Sequence, residues 1–257
     1  MKELIEKYLK TKSLDVRFYE SIDSTNTALR ALAEAGAEEG TVLIAAHQTA
    51  GRGRRGRSFY SPQSTGLYMS ILLRPKAPAQ KILRIPPAAA VAAAQTFEEI
   101  SGESANIKWV NDVYMRGRKV CGILTEASIT GENVRYVIMG IGVNLLPPEG
   151  GFPPELLDIA RGLLPHRAAD IKNRLAAKFV NRFLALAGAS TEDFLEDYRR
   201  RSLVLGKRIT VVSGGREQEA LALGIDDSCR LVVRFDGGEA QAISWGEIRI
   251  CPEKFQK

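Results

Sequence analysis

The sequence predicts an α/β (α+β) protein in two unequal parts, residues 1–202 and 203–257. Three observations lead there. Short apolar, β-branched runs alternate with helical stretches as far as Ser202. Two longer segments have helical character: the alanine-rich block Pro86–Phe97, and Ala168–Ala187, which places Ile171, Leu175, Phe179 and Phe183 on one face. From Leu203 onward only short β-type runs remain, spaced by turns as in a small barrel of about 50 residues.

The elements follow in order. Leu4, Ile5, Tyr8 and Leu9 have helical spacing and predict a short opening helix. Val16–Tyr19 reads as a strand, and the turn Ser21–Asn26 leads into a helix, Thr27–Ala35, ended by Gly36. Strands Thr41–Ala46 and Leu67–Leu73 flank an arginine-rich loop, and a helix over Pro87–Ile100 stops near Gly102. Strands are then predicted at Ile107–Val110, Asp112–Met115, Lys119–Ala127 and Val134–Asn144, with turns at Arg116-Gly117-Arg118 and Thr130-Gly131-Glu132. After the loop Pro147–Pro154 and the helix Ala168–Ala187, Ser190 with Asp193 starts a last helix. Four β runs complete the chain: Arg208–Val212, Glu219–Gly224, Leu231–Phe235 and Glu239–Ser244.

With 257 residues, 45% of them hydrophobic, the chain can bury a sizeable core. Its net charge of +6 suits an enzyme that handles anions, or a module that binds nucleic acid. Cys121, Cys229 and Cys251 are too few and too far apart for a disulfide framework or a zinc site, and fit a reducing cytoplasm. No apolar stretch reaches the roughly 20 residues of a membrane span, and Met1-Lys2-Glu3 opens no signal peptide.

Chemistry concentrates in four polar clusters. Gly51–Arg57 packs four arginines and three glycines into seven positions, with Gln48 just before it. Glycines allow close backbone approach and arginine forks match carboxylate and phosphate oxygens, so an anion is the natural guest. The run spells G-x-G-x-x-G and approaches a P-loop, but both motifs require a helix to follow, and Leu67–Leu73 reads as a strand. Ser24-Thr25-Asn26 sits at a helix start, where plain N-capping is the ordinary use of such residues. In Lys108–Asp112 and Lys119–Leu124, Lys119 opens an apolar strand and Gly122 leaves space beside it; a lone lysine there is more often an exposed strand end. Gly140 and Gly142, in the run ending at Asn144, place glycines inside a strand, where a ligand or another backbone can lie.

Together, in this order, these clusters resemble the biotin protein ligases from about Phe18 to Ile250. The resemblance implies a mixed-sheet catalytic domain of the class II synthetase-like type, with an SH3-like C-terminal barrel. It implies an enzyme that joins biotin to ATP, with Mg²⁺, as biotinyl-adenylate. The biotinyl group then passes to a lysine of a biotin carboxyl carrier protein domain in a biotin-dependent carboxylase. By motif, Ser24, Thr25, Asn26, Gln48, Gly51, Arg52, Gly53, Arg54, Lys119, Gly122 and Gly142 would surround biotin. Arg54, Arg55, Arg57, Asn111, Lys119 and Asn144 would lie on the ATP side, and Asp112 would face the acceptor lysine. Lys119, Asp112 and Arg54 are the expected catalytic residues, and no protein metal ligand is expected.

Two positions depart from the family pattern: Val110 stands where proline is usual, and Phe59 where tryptophan is common. About 20 residues precede Ser21, too few for the DNA-binding domain that some members carry, so no specific DNA binding is expected. A homodimer is possible, with Val134–Ile141 as a candidate exposed sheet edge. The rivals are a lipoate or octanoyl ligase-type enzyme, against which the Gly51–Arg57 run speaks, and a basic nucleic-acid-binding module.

Overall fold

Seven strands form the main sheet: β1 (Asp15–Ile22), β2 (Thr41–Gln48), β3 (Gly66–Leu73), β4 (Asn106–Lys108), β5 (Asp112–Met115), β6 (Arg118–Thr130) and β7 (Asn133–Asn144). Their order is β1-β2-β3-β7-β6-β5-β4; β1 runs parallel to β2 and the remaining neighbours are antiparallel, so the sheet is mixed. The computed structural model describes residues 5–250 apart from 12 and 77; Leu4 of the expected opening helix and Cys251 lie outside these.

Alternation along the strands sorts side chains onto two faces. Val42, Ile44, Met69, Ile71, Val137 and Met139 point to one face, where α2 (Ile85–Ser101) and α3 (Ile171–Gly188) cover them. Residues 88–94 of α2, six alanines and Val91, are fully buried all round, the pattern of a helix enclosed by its neighbours. Ile171, Leu175, Phe179 and Phe183 of α3 are buried as the spacing predicts, and the Phe179 and Phe183 rings stack 5.8 Å apart. Gly102 ends α2 in the left-handed conformation, at φ 72°.

The opposite face is covered only in part. The short helix α1 (Thr25–Glu34) packs Leu29 and Ala33 on Leu43, Leu72, Tyr136 and Ile138. Beyond that patch the same face continues through Ser70 of β3, Gly140 and Gly142 of β7, and Gly122 and Leu124 of β6, which pair across the strands. This uncovered half of the sheet is where the cleft forms.

After α4 (Glu192–Arg200), the C-terminal part is a five-stranded antiparallel sheet of β8 (Arg208–Ser213), β9 (Arg216–Ile225), β10 (Leu231–Phe235), β11 (Ala240–Ile243) and β12 (Glu247–Ile250), ordered β11-β10-β9-β8-β12. Its apolar residues, among them Ile209, Leu231 and Ile248, join the core of the main sheet. At the junction, the Ile107 N–H of β4 donates to the Arg201 carbonyl and the Leu203 N–H donates back to Ile107.

Several sequence expectations need correction. Of the run Val134–Ile141 expected as an exposed edge, Val137–Ile141 is paired with β3 on one side and β6 on the other, and the ends of the sheet are β1 and β4. The last strand, β12, falls outside the four β runs predicted, since Glu247–Ile250 is too short to show alternation clearly. The helix expected over Thr27–Ala35 begins at Thr25, the one over Ala168–Ala187 begins at Ile171, and the strand expected over Ile107–Val110 ends at Lys108.

Candidate active site

The floor of the cleft is built by strand register. Tyr68, Gly142, Gly122 and Asp112 stand side by side on β3, β7, β6 and β5, and Ser70, Gly140 and Leu124 form the next row. The glycines set the depth. A Cβ on Gly140 would lie 2.0 Å from Asn26 Oδ1, and one on Gly142 would lie 2.5 Å from the Phe59 ring. Phe59 therefore rests on bare backbone, with its edge against Tyr68. This ring occupies the position where the sequence departs from tryptophan.

The polar end of the floor comes from α1 and β2. Ser24 stands at the N-cap of α1 but its side chain makes no capping bond, so N-capping does not account for the cluster. The Thr25 N–H donates to Gln48 Oε1 at 2.8 Å, and Gln48 Nε2 donates to Ser61 Oγ at 3.0 Å. Asn26 is buried and donates both amide protons within the protein, to Glu126 and to the Leu124 carbonyl.

The arginine loop forms the rim. It closes on itself through Gly53 N–H to the Arg57 carbonyl (2.7 Å) and Phe59 N–H to the Gly51 carbonyl (2.8 Å). Arg52 pairs with Glu126 at 3.1 Å and Arg57 with Glu247 of β12 at 2.6 Å. Arg54 reaches inward, donating to Asn111 Oδ1 (3.0 Å) and to the Gly246 carbonyl (3.1 Å). Burial pulls its guanidinium below the ordinary arginine range, against the attraction of Asp112. The C-terminal sheet thus closes one end of the cleft through Gly246, Glu247 and Ile248. No α-helix starts at this loop: a single 3₁₀ turn spans Arg54–Gly56 and β3 follows.

Lys119 carries the cation at the centre. Its Nζ lies 2.8 Å from Asp112 Oδ1, with both side chains about a quarter exposed (25% and 22%), so it is not a loose strand end. Lys108 stands near the pair; burial pushes its ammonium below the usual lysine range, with Asp112 opposing and Lys119 adding to the shift. Three cationic groups (Lys108, Lys119 and Arg54) therefore face one carboxylate, an arrangement ready to receive an anion.

Most of the expected residues meet here. Ser24, Thr25, Asn26, Gln48, Arg52, Gly53, Arg54, Arg55, Arg57, Asn111, Asp112, Lys119, Gly122 and Gly142 all line this cleft. Gly51 and Asn144 do not. A Cβ on Gly51 would lie 2.4 Å from Ser61 Oγ, so Gly51 serves packing under the loop. The Asn144 amide instead lies 3.5 Å from the Lys119 carbonyl, behind the site. Sequence reasoning missed Glu126, Ser70, Gly246 and Glu247. Glu126 carried a signal, a carboxylate inside the β6 strand pattern, whereas the other three become visible only through pairing between distant strands.

The comparisons with known proteins agree with this geometry. Residues 18–144 match the profile of the biotin/lipoate A/B protein ligase family, and residues 204–250 match the biotin protein ligase C terminal domain. A biotin--[acetyl-CoA-carboxylase] ligase from Mycobacterium tuberculosis is 33% identical over 238 residues, covering 88% of this chain and 85% of that protein. The bifunctional ligase/repressor BirA of Bacillus subtilis is 43% identical over 146 residues, 57% of this chain; the match spans only 45% of the relative's length. Among solved structures, the biotin protein ligase from Aquifex aeolicus in complex with biotin and ATP superposes with a TM-score of 0.75. It is 26% identical, and the match covers 92% of this chain and 98% of the other.

Proposed function

The chain belongs to the biotin/lipoate A/B protein ligase family, and from that premise we propose that it activates biotin with ATP as biotinyl-5′-AMP and transfers the biotinyl group to a lysine of a biotin carboxyl carrier domain in the cytoplasm. One observation supports this reading most directly: a glycine-floored slot with a polar end meets an arginine rim around the Lys119 ammonium. Biotin needs that combination, because it has an apolar body, a ureido group at one end and a carboxylate at the other.

In the first step a biotin carboxylate oxygen attacks the α-phosphorus of ATP and pyrophosphate leaves. Two anions must approach each other, and charge builds on the phosphoryl oxygens. Lys119 would bridge the carboxylate and the α-phosphate, exchanging its contact with Asp112 for the ligand's oxygens. Arg54, Arg55 and Arg57 would hold the phosphate side, with Asn111 steadying Arg54. Among the described residues no cluster of three or more His, Cys, Asp or Glu side chains is placed to hold a metal ion. Mg²⁺ would therefore arrive on the triphosphate, ligated mainly by phosphate and water. In the second step the acceptor amine attacks the acyl carbon and AMP leaves; Asp112, freed from Lys119, is the carboxylate nearest to steer that amine and take its proton.

The test is incubation with ATP, Mg²⁺ and labelled biotin, beside a parallel reaction with lipoate. Bound biotinyl-adenylate with pyrophosphate release is the expected result. Adenylation of lipoate in preference to biotin would overturn the reading.

A further inference from the structure

Lys119 stands where the regular pairing of the main sheet gives out. It is the second residue of β6, just after the turn Arg116-Gly117. The ladder with β7 ends at Cys121↔Val143, and the register with β5 shifts between Val113 and Tyr114, beside Lys119. A passing segment completes the pairing. The Lys119 N–H donates to the Ile159 carbonyl at 2.7 Å, and the Arg161 N–H donates to the Lys119 carbonyl at 3.0 Å. Residues 159–161 thus form a single parallel rung, centred on Ala160.

Both flanks of this rung are tied to one carboxylate. Glu103 Oε1 lies 2.7 Å from Arg116 Nη2 in the turn, and Oε2 lies 3.3 Å from Arg161 Nη1 in the segment. Glu103 is itself placed by the end of α2: Gly102 closes the helix, and the Glu103 N–H donates to Ser101 Oγ at 3.1 Å. Other ties hold one flank each. The Leu163 and Leu164 N–H groups donate to the Asn144 and Leu145 carbonyls and hold the segment to the end of β7. Pairing of Tyr114 with Lys119 and of Met115 with Arg118 holds the turn to β5. The direct contact between the flanks, Arg118 with Asp158, is 3.7 Å long with Asp158 99% exposed, and such pairs contribute little. Glu103, which does not line the cleft, joins both flanks to a buried helix.

We propose that Glu103 is a positioning residue for Lys119, acting through the backbone rung and the turn on either side of it. This rests on the reading of Lys119 given above. In the free protein Asp112 holds the Lys119 ammonium. Once that contact is exchanged for ligand oxygens, the backbone of Lys119 sets where the ammonium can reach. A small displacement of a reacting group is costly in rate even when its cause lies far from the chemistry. Glu103 touches no ligand in this scheme; it keeps the two flanks of Lys119 from drifting apart.

Glu103→Gln keeps the size of the side chain and removes the charge that both arginines share. With saturating biotin and ATP, kcat for adenylate formation, followed as pyrophosphate release, should fall about tenfold. The Kd for biotin, from calorimetry, should stay within about threefold, because the polar end of the slot is built on α1 and β2. The deciding measurement repeats the substitution in Lys119→Met. With no ammonium to position, Glu103→Gln should change the residual rate by less than about twofold. An equal loss in both backgrounds means that Glu103 only supports the fold, and it overturns the proposal; so does an unchanged kcat when Lys119 is present. Should Glu103→Gln not fold, Arg161→Met frees the segment at the other end of the same ion pair. It must lower kcat and lose that effect in Lys119→Met, and failure on either count overturns the idea. A wild-type protein that forms no biotinyl-adenylate sinks the functional reading and this proposal together, whereas adenylate formation that Glu103→Gln leaves untouched sinks the proposal alone.

Discussion

Two sets of arginines in this protein use one chemistry for opposite ends. Arg201, at the junction of the two sheets, has a 6% exposed side chain. It donates to both oxygens of Glu98, to Asp197 and to the Ala105 carbonyl, all within 3.0 Å. Its capacity is spent on the fold. The loop arginines hold single carboxylates at the surface, with Arg52 40% exposed on Glu126 and Arg57 63% exposed on Glu247. Exposed pairs of that kind contribute about 0–1 kcal/mol and exchange partners easily. A saturated arginine is structural, and one held by a single replaceable anion is available to a ligand.

The strongest way to break this contrast is Arg201→Met, which leaves Glu98 partly buried without its cation and Asp197 with only the exposed Arg200. It should cost about 3–5 kcal/mol in urea denaturation. The acid limb should change with it. Hydrogen bonds from Arg201 hold Glu98 below the usual carboxylate range; for Asp197 burial pushes upward, but bonds from Arg201, Gln95 and Arg200 outweigh it. Folded values below unfolded ones mean the unfolded chain binds more protons as pH falls. The cluster's stabilisation is therefore full above about pH 5 and is lost as acid titrates both groups. Urea midpoints between about pH 2 and 6 should show a shallower acid loss in Arg201→Met than in wild type.

Lys119→Met probes the opposite extreme, a cation whose partner is meant to change. Thermal stability should hold near wild type, while adenylate formation falls by about 10²–10³, the size found for losing one donor in a closed site. Pyrophosphate exchange at wild-type rate would remove Lys119 from the chemistry.

Arg54 lies between the two classes, half-buried and doubly bonded yet lining the cleft. Arg54→Gly should still make adenylate but release it about tenfold faster, since such losses fall mainly on dissociation. Biotin blots of serum albumin mixed with the variant, biotin and ATP would record the leak; unlabelled albumin with adenylate synthesis intact excludes Arg54 as the gate. The smallest effect should come from Arg57→Ala. Its stability should stay within about 1 kcal/mol of wild type, with a modest rise in KM for ATP. A collapse of stability there would erase the distinction between the two sets.

Elements whose pattern was strong were legible in the sequence: the alanine helix, the Phe179–Phe183 stripe and the glycine punctuation of β7 all stand where periodicity places them. The site was legible where motif residues are contiguous, as in Gly51–Arg57. It was not legible where function is assembled by register. Glu126 meets Asn26 across 100 positions, and Arg54 meets Gly246 across 192, and no local pattern encodes either contact. Nor does sequence separate Gly51, whose missing side chain makes room for Ser61, from glycines that make room for a ligand. The strand order explains the misplaced edge: a β-branched run reads alike in the middle of a sheet and at its border.

The clasp of Ile107 by Arg201 and Leu203 also has a bearing on solubility. β4 is three residues long and ends the main sheet, and the passing segment occupies its otherwise unpaired N–H and C=O. Bare strand borders recruit other chains. A chain cut just before this segment would lose more than the small sheet: it would expose a sticky margin, and should precipitate from solution even where its helices and remaining strands survive.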